Sequence, residues 1–282
     1  MLQPRPADAH HARAAYNALA EHYDLLTAEH DYDAWTSTLE SLAVKHGLVG
    51  KSLLDVACGT GKSFLPMLDR GYVVTACDVS EEMLRLARAK AVGRARLESC
   101  DMRQLPTLGQ FDLVLCLDDA INYLLSPDEL RVTMQGVRRN LAPQGVAVFD
   151  VNTLASYRTF FGSRHVVSDR ERVVIWEGAA AATFADAGVA QATVEILVRE
   201  TNTHWGRGRT SHYQRHHPRS VIAAALAAAG LRIVGVYGMY LDGSVSDGFD
   251  EDENSKAVYV VRRAAADQSP VQRAPALEGE GR

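Results

Sequence analysis

Three carboxylates, each near the end of an expected strand, carry the chemistry of this sequence. Asp55 lies in Leu53-Leu54-Asp55-Val56-Ala57-Cys58-Gly59-Thr60-Gly61. Asp78 follows Tyr72–Cys77, and Asp101 follows Arg96–Cys100. A fourth run, Phe111–Leu117, ends in Asp118-Asp119-Ala120-Ile121-Asn122. Gly59 and Gly61 allow a sharp turn and a close approach of backbone to ligand, because neither has a Cβ. An acid on a neighbouring strand end suits the paired hydroxyls of a ribose. Together these residues could hold a nucleoside-like cofactor beside a reacting group.

Two other glycine-loop chemistries fail on the residues. Gly61-Lys62-Ser63 suggests a phosphate-cradling P-loop, but the glycine needed five positions earlier is Val56. A dinucleotide fingerprint requires a third glycine where Phe64 stands, and that bulk should obstruct close helix–strand packing. An NAD(P)-binding oxidoreductase therefore remains only as a competing class.

These residues must sit on strand ends of one sheet. The runs Ser52–Ala57, Tyr72–Cys77, Arg96–Cys100, Phe111–Leu117 and Gly145–Val151 alternate with helical stretches at Lys62–Asp69, Ser80–Ala91 and Pro127–Leu141. Such alternation predicts a doubly wound parallel α/β sheet, whose ligands sit at the carboxyl ends of the strands. Helices are also expected over Ala14–Leu26 and Tyr32–His46, with residues 1–13 loose. After Val151 the pattern becomes period-two, at Arg172–Glu177, Ala192–Glu200 and His204–Gln214, as in half-exposed antiparallel strands. A helix at Ser220–Ala229 and strands at Leu231–Tyr237 and Ala257–Arg263 complete the pattern.

The strand-end acids and LLDVACGTG resemble the motifs of class I methyltransferases that use S-adenosylmethionine (SAM). The resemblance implies a Rossmann-like sheet of seven strands with the last antiparallel, an N-terminal helical cap and a small antiparallel insertion. It divides the chain into a cap (1–48), a SAM-binding core (49–155 and 218–263) and an insertion (156–217) acting as acceptor lid or dimer contact; residues 264–282, rich in Ala, Pro, Gln and Glu, are expected to be a disordered tail. It assigns SAM, leaving as S-adenosylhomocysteine (SAH), to Tyr16, Tyr23, Asp55, Ala57, Gly59, Thr60, Gly61, Asp78, Val79, Met83, Asp101, Met102 and Leu117. Asp101 would meet the adenine amine, with Met102 against the ring. The insertion is similar in layout to that of the amino-sugar N-methyltransferases of antibiotic pathways, and more distantly to glycine N-methyltransferase.

The implied reaction is methyl transfer to a small molecule, with an amine nitrogen of a natural product or amino sugar as the first expectation. O- or C-methylation and methylation of a peptide terminus are the alternatives. Asp118, His22, Tyr23 and Asn122 are the catalytic candidates. Asp119, Tyr123, Asn152, Tyr157 and Arg158 are further candidates for the acceptor pocket.

Composition narrows the partners. A formal charge of −5 over 282 residues gives no reason to expect nucleic acid. No apolar stretch is long enough to span a membrane, and no signal peptide is evident, so a cytoplasmic protein is expected. Cys58, Cys77, Cys100 and Cys116 form no CxxC pair and read as reduced, buried small hydrophobes. The insertion's His204, Trp205, His212, Tyr213, His216 and His217 have no carboxylate among them, so no metal is expected, and a lid or subunit contact is the reading. An exposed antiparallel insertion can pair with a second copy, which leaves a homodimer open. The acidic stretch Asp247–Glu253 reads as a solvated turn.

Overall fold

A computed structural model describes residues 10–264. Two helices come first, α1 (His10–Leu26) and α2 (Tyr32–Lys45). The alternating region follows as β1 (Ser52–Val56), α3 (Leu65–Asp69), β2 (Val73–Asp78), α4 (Glu81–Ala91), β3 (Ala95–Ser99), β4 (Phe111–Cys116), α5 (Pro127–Asn140) and β5 (Leu141–Asn152). Next come α6 (Leu154–Thr159) and four strands, β6 (Arg164–Ser168), β7 (Arg172–Gly178), β8 (Val189–Arg199) and β9 (Trp205–Arg215). The last elements are α7 (Arg219–Ala228), β10 (Leu231–Met239), β11 (Val245–Asp247) and β12 (Lys256–Arg263).

The main sheet runs β11-β10-β12-β5-β4-β1-β2-β3. Strands β1 to β5 are mutually parallel, and β12 is antiparallel to both β5 and β10. The order reverses beside β1, so β1 and β4 diverge at the switch point where open α/β sheets bind ligands. Alternate side chains fill two cores. Leu53, Val74, Leu113, Leu115 and Val258 pack on the α2 face, and Leu54, Val114, Ala147, Phe149 and Tyr259 on the α5 and α7 face.

Local chemistry explains the helix starts. Ser80 caps α4 by accepting the Met83 N–H at 3.2 Å, and Glu81 and Glu82 complement the helix dipole. Ser126 and Glu129 form a reciprocal capping box on α5, with Pro127 in its first turn.

Several expectations need correction. The sheet has eight strands, because the short β11 pairs with the end of β10. Helix α1 already begins at His10, inside the stretch expected to be loose. Helix α3 starts three residues late, because Gly61–Phe64 is spent on the turn. Strand β6 and helix α6 were not signalled, since β6 is short and its polar residues blur the alternation. The expected disordered tail lies outside the described residues, apart from Ala264.

The second sheet, β6-β7-β8-β9, is antiparallel throughout. Its inner face contributes Val174, Trp176, Ala192, Val194 and Ile196 to a third core, which reaches Leu19 of α1 and Tyr157 of α6. Thus α1 lies between the main sheet's carboxyl edge and the second sheet. No described helix is long and apolar enough to cross a membrane.

Candidate active site

The glycine turn after β1 is held open by its own backbone. Ala57, Gly59 and Gly61 have φ of 60°, 53° and 90°. A Cβ at Gly61 would come within 2.8 Å of the Phe64 ring, so the position tolerates only glycine. Phe64 itself is fully buried beneath the turn. Its ring fills the space that a dinucleotide-type loop would leave to a third glycine.

Asp78 braces this turn. One carboxylate oxygen accepts the Gly59 N–H and the other accepts the Ser80 N–H, both at 2.8 Å. Burial raises its pKa against those bonds. Asp55 lies deeper, 1% exposed, and accepts the Ser63 hydroxyl at 2.5 Å through one oxygen only. Its other oxygen has no partner among the described residues. Burial pushes Asp55 up to about 7, against the Ser63 bond and reinforced by nearby Asp78.

A cleft opens beside the turn. It is lined by Ala57, Val79, Cys100, Asp101 and Met102 from the sheet edge, by Ala12 of α1, and by Tyr123 and Leu124, and it encloses about 390 Å³ open to solvent. Asp101 does not face it as a free acceptor. Its two oxygens grip the Arg103 guanidinium, which outweighs burial and holds its pKa down. Arg103 also approaches Glu129 at 3.4 Å.

Helix α1 closes over the turn and fastens at several points. The Ser80 hydroxyl donates to Asn17 at 2.6 Å. Thr60 donates to Asp24 at 2.6 Å, and Lys90 pairs with the same carboxylate at 2.5 Å. Lys62 donates to the Thr27 carbonyl at 2.7 Å. The Tyr23 ring would lie 4.0 Å from a Cβ at Gly59.

The densest chemistry sits after β4. Asp118 and Asp119 both adopt left-handed backbone, φ 60° and 50°, which is strained for non-glycine residues. Asp150 of β5 fixes the strain by accepting both their N–H groups, at 2.7 and 2.9 Å. Lys256 of β12 reaches into the same space and lies 2.6 Å from Asp119, 2.8 Å from Asp150 and 3.5 Å from Asp118. Tyr23 and Tyr32 both donate to one oxygen of Asp118, at 2.7 and 2.8 Å. Burial pushes Asp118 up, but Lys256 and the two phenols outweigh it and leave it below the usual carboxylate range. Asp119 is pushed up to about 6 by burial, with Lys256 opposing and Asp118 and Asp150 adding to it. Burial lowers the Lys256 ammonium, but the three carboxylates outweigh that and hold it protonated.

A model of the methyltransferase domain matches residues 53–145, from β1 into β5. A putative methyltransferase of Geobacillus sp. strain WCH70 is 34% identical over 166 residues, covering 57% of this chain and 67% of that protein. The chain belongs to the methyltransferase family. A dTDP-3-amino-3,6-dideoxy-alpha-D-glucopyranose N,N-dimethyltransferase of Streptomyces fradiae is 32% identical over 134 residues, 47% of this chain and 52% of that enzyme. The match thus spans about two thirds of the first relative and half of the second. Among solved structures, an S-adenosylmethionine-dependent methyltransferase from Clostridium acetobutylicum ATCC 824 superposes with a TM-score of 0.74 at 26% identity, covering 89% of this chain and 99% of that one.

Against this methyltransferase fold, the sequence-derived site residues divide. Tyr16, Tyr23, Ala57, Gly59, Gly61, Asp78, Val79, Asp101, Met102 and Asp118 gather around the turn, the cleft and the β4 end. Thr60 is buried against α1 rather than open to the cleft. Met83 is buried at the start of α4, and Leu117 packs into the α2-side core. His22 does not join the catalytic candidates. It faces the insertion, where Arg172 and Asp169 are its charged neighbours, and burial lowers its pKa. Asn122 is fully buried and spent as a brace: it donates to the Arg215 carbonyl and accepts the Asn152 N–H, both at 2.9 Å. Asn152 in turn donates to Gln214, and Arg158 pairs with Asp252.

Tyr32, Asp150, Lys256 and Gln214 were missed. Asp150 stands inside an apolar strand run, Gly145–Val151, and a lone acid there was a signal left unread. Lys256 opens β12, 106 residues away, and nothing local marks it. The acidic stretch is a largely exposed turn, as expected, with Glu251 alone of its acids drawn inward. Glu251 accepts the Leu154 N–H at 3.1 Å and meets His216, which also faces Asp186. No metal-binding cluster occurs among the described residues.

Proposed function

We propose that this methyltransferase transfers a methyl group from SAM to the nitrogen of a small-molecule amine, with an amino sugar as the acceptor class. The carrying observation is the β4-end cluster, in which three carboxylates face one lysine ammonium in a partly buried site. The surplus negative charge favours a cation, and an alkylammonium meets that demand at the place where acceptor and methyl donor must come together. The 32% identity to an amino-sugar dimethyltransferase supports the same class.

The residues fit the cofactor. The glycine turn gives room for close backbone approach, the buried Asp55 oxygen without a partner lies beneath it, and the adjoining cleft joins apolar Val79 and Met102 to the Asp101 carboxylate. Asp78 would hold the ribose hydroxyls through lone pairs left over from its two backbone bonds. When bound, SAM supplies an electrophilic methyl carried on a sulfonium.

The chain's own work is positioning, exclusion of water and proton management. Tyr23 and Tyr32 clamp Asp118 in its charged form, which orients an ammonium. Asp119, poised near 6, can take the proton that an amine must lose before its lone pair attacks. Helix α1 covers one side of the cleft, and holding the partners in near-attack geometry is worth about 7–11 kcal/mol.

The test is transfer of labelled methyl from SAM to a panel of amino sugars, hydroxylated sugars and peptides. Labelled nitrogen on the amino sugars alone is the expected result. Label on oxygen or on a peptide terminus would overturn the acceptor assignment.

A further inference from the structure

Strand β9 and the residues after it are stitched to the chain that leaves β4. His212 Nδ1 meets the Tyr123 hydroxyl at 3.0 Å, Arg215 donates to the Leu125 carbonyl at 3.1 Å, and His217 Nε2 lies 2.9 Å from the Leu124 carbonyl. Between these ties stands Gln214, only 1% exposed. Its Nε2 donates to Asp119 Oδ2 at 2.5 Å, and Lys256 donates to Asp119 Oδ1 at 2.6 Å. Each oxygen of this carboxylate thus has a donor, one from each sheet. The Asp119 side chain remains 20% exposed, so an acceptor can still reach it.

We propose that Gln214 is a positioning residue for methyl transfer: its amide aims the Asp119 carboxylate and favours the charged form, and so sets the pH at which the site can take the amine proton. The inference rests on the reading of Asp119 as proton acceptor given above.

The direction of the amide carries this role. Asn122 donates to the Arg215 carbonyl and accepts the Asn152 N–H, both at 2.9 Å. Both partners are backbone groups, so the Asn122 amide can stand only one way round. Asn152 donates its own amide to Gln214 Oε1 at 2.9 Å, and the Tyr157 hydroxyl approaches the same oxygen at 3.4 Å. With Oε1 occupied by these donors, Nε2 is turned to Asp119. The reverse orientation would set Oε1 against a carboxylate and Nε2 against the Asn152 NH2, leaving buried groups without partners.

The charges around Asp119 make a neutral donor useful. Asp118 stands beside it in the chain, Asp150 faces it from β5 and Lys256 from β12, and the phenols of Tyr16, Tyr123 and Tyr157 feel its charge from α1, the turn after β4 and α6. Lys256 is divided among three carboxylates, whereas the Gln214 amide meets only Asp119 of the three. A hydrogen bond to the ionised form favours it without adding a positive charge that would repel an ammonium acceptor.

The test is a carboxyl-carbon NMR titration of the full chain labelled at aspartate, with the Asp119 resonance identified by its loss in Asp119→Asn. The midpoint expected for the wild type is about 6. Gln214→Met, similar in size but without the amide, should raise it to about 7, as expected for losing one hydrogen bond to a charged group. Gln214→Glu should raise it further, because two adjacent carboxyls then share a proton. In the wild type the Gln214 side-chain NH2 resonances should move with the Asp119 midpoint, a readout that needs no variant. In transfer to an amino sugar, Gln214→Met should be about tenfold slower near pH 5.5 and less than about threefold slower near pH 8.5, with SAH affinity within about twofold. A merely structural loss would lower the rate equally at both. A wild-type amide that ignores the Asp119 midpoint, or a midpoint unmoved in Gln214→Met, would overturn the role of Gln214. An Asp119→Asn protein with the wild-type rate and pH profile would overturn instead the reading on which that role rests.

Discussion

The two halves of the candidate site are built on opposite principles. The glycine-turn half is a backbone device in which one acid, Asp78, ties a loop through two N–H bonds and leaves a cleft beside apolar strand ends. The β4 half is a side-chain device in which Asp118, Asp119, Asp150 and Lys256 converge from three strand ends, and strained backbone is held by Asp150. The first can be altered one hydrogen bond at a time. The second is a charge network in a low-dielectric place, where removing one member strands the others.

Lys256→Met should therefore give the largest effect. It leaves three carboxylates without their cation and should cost about 3–5 kcal/mol of stability, read by urea denaturation at pH 8. The loss should shrink at lower pH, where protonation relieves the repulsion. A pH-independent loss would make Lys256 a packing residue and remove the contrast between the two halves.

The imidazoles of the insertion and its exit come next. Burial holds both His212 and His217 down to about 4 in the folded chain, below the ordinary value of 6.5. The unfolded chain therefore binds more protons between these values. Their contribution is fully present above about 6.5 and is lost as pH falls toward 4, by on the order of 3 kcal/mol each. Denaturation midpoints of wild type and His217→Gln across that window should converge at the acid end if this is right.

On the backbone side the expected effect on ligand binding is smaller. Asp78→Ala should weaken SAH binding by about 1–3 kcal/mol, the usual loss for a truncated charged hydrogen-bond partner. Calorimetry showing wild-type affinity would separate Asp78 from the cofactor. In the β4 half the smallest effect is that of Tyr32→Phe, which removes one of two phenols on Asp118 and should cost about 1 kcal/mol in the acceptor step, with SAH affinity unchanged.

The same contrast explains what could be read from the sequence. A glycine turn is local: Asp55 to Gly61 is one stretch of chain, and Asp78 and Asp101 recur at strand ends set by the alternation of elements. The sheet and the cofactor half were legible for that reason. The charge network joins residues 118, 119, 150 and 256, and only the antiparallel placement of β12 beside β5 brings Lys256 to the others. His22 and Asn122 failed for a related reason. Helical position alone does not say that His22 faces Arg172, and a polar residue after β4 can brace the fold as readily as touch a substrate.

The most direct measurement is the pH profile of methyl transfer to an amino sugar, compared between the wild type and Asp119→Asn. If Asp119 receives the amine proton, the wild-type rate with bound acceptor falls as pH drops through about 6, and the variant loses both that limb and most of its rate while still binding SAH. Equal rates and coincident profiles in the two proteins would contradict the role given to the carboxylate cluster.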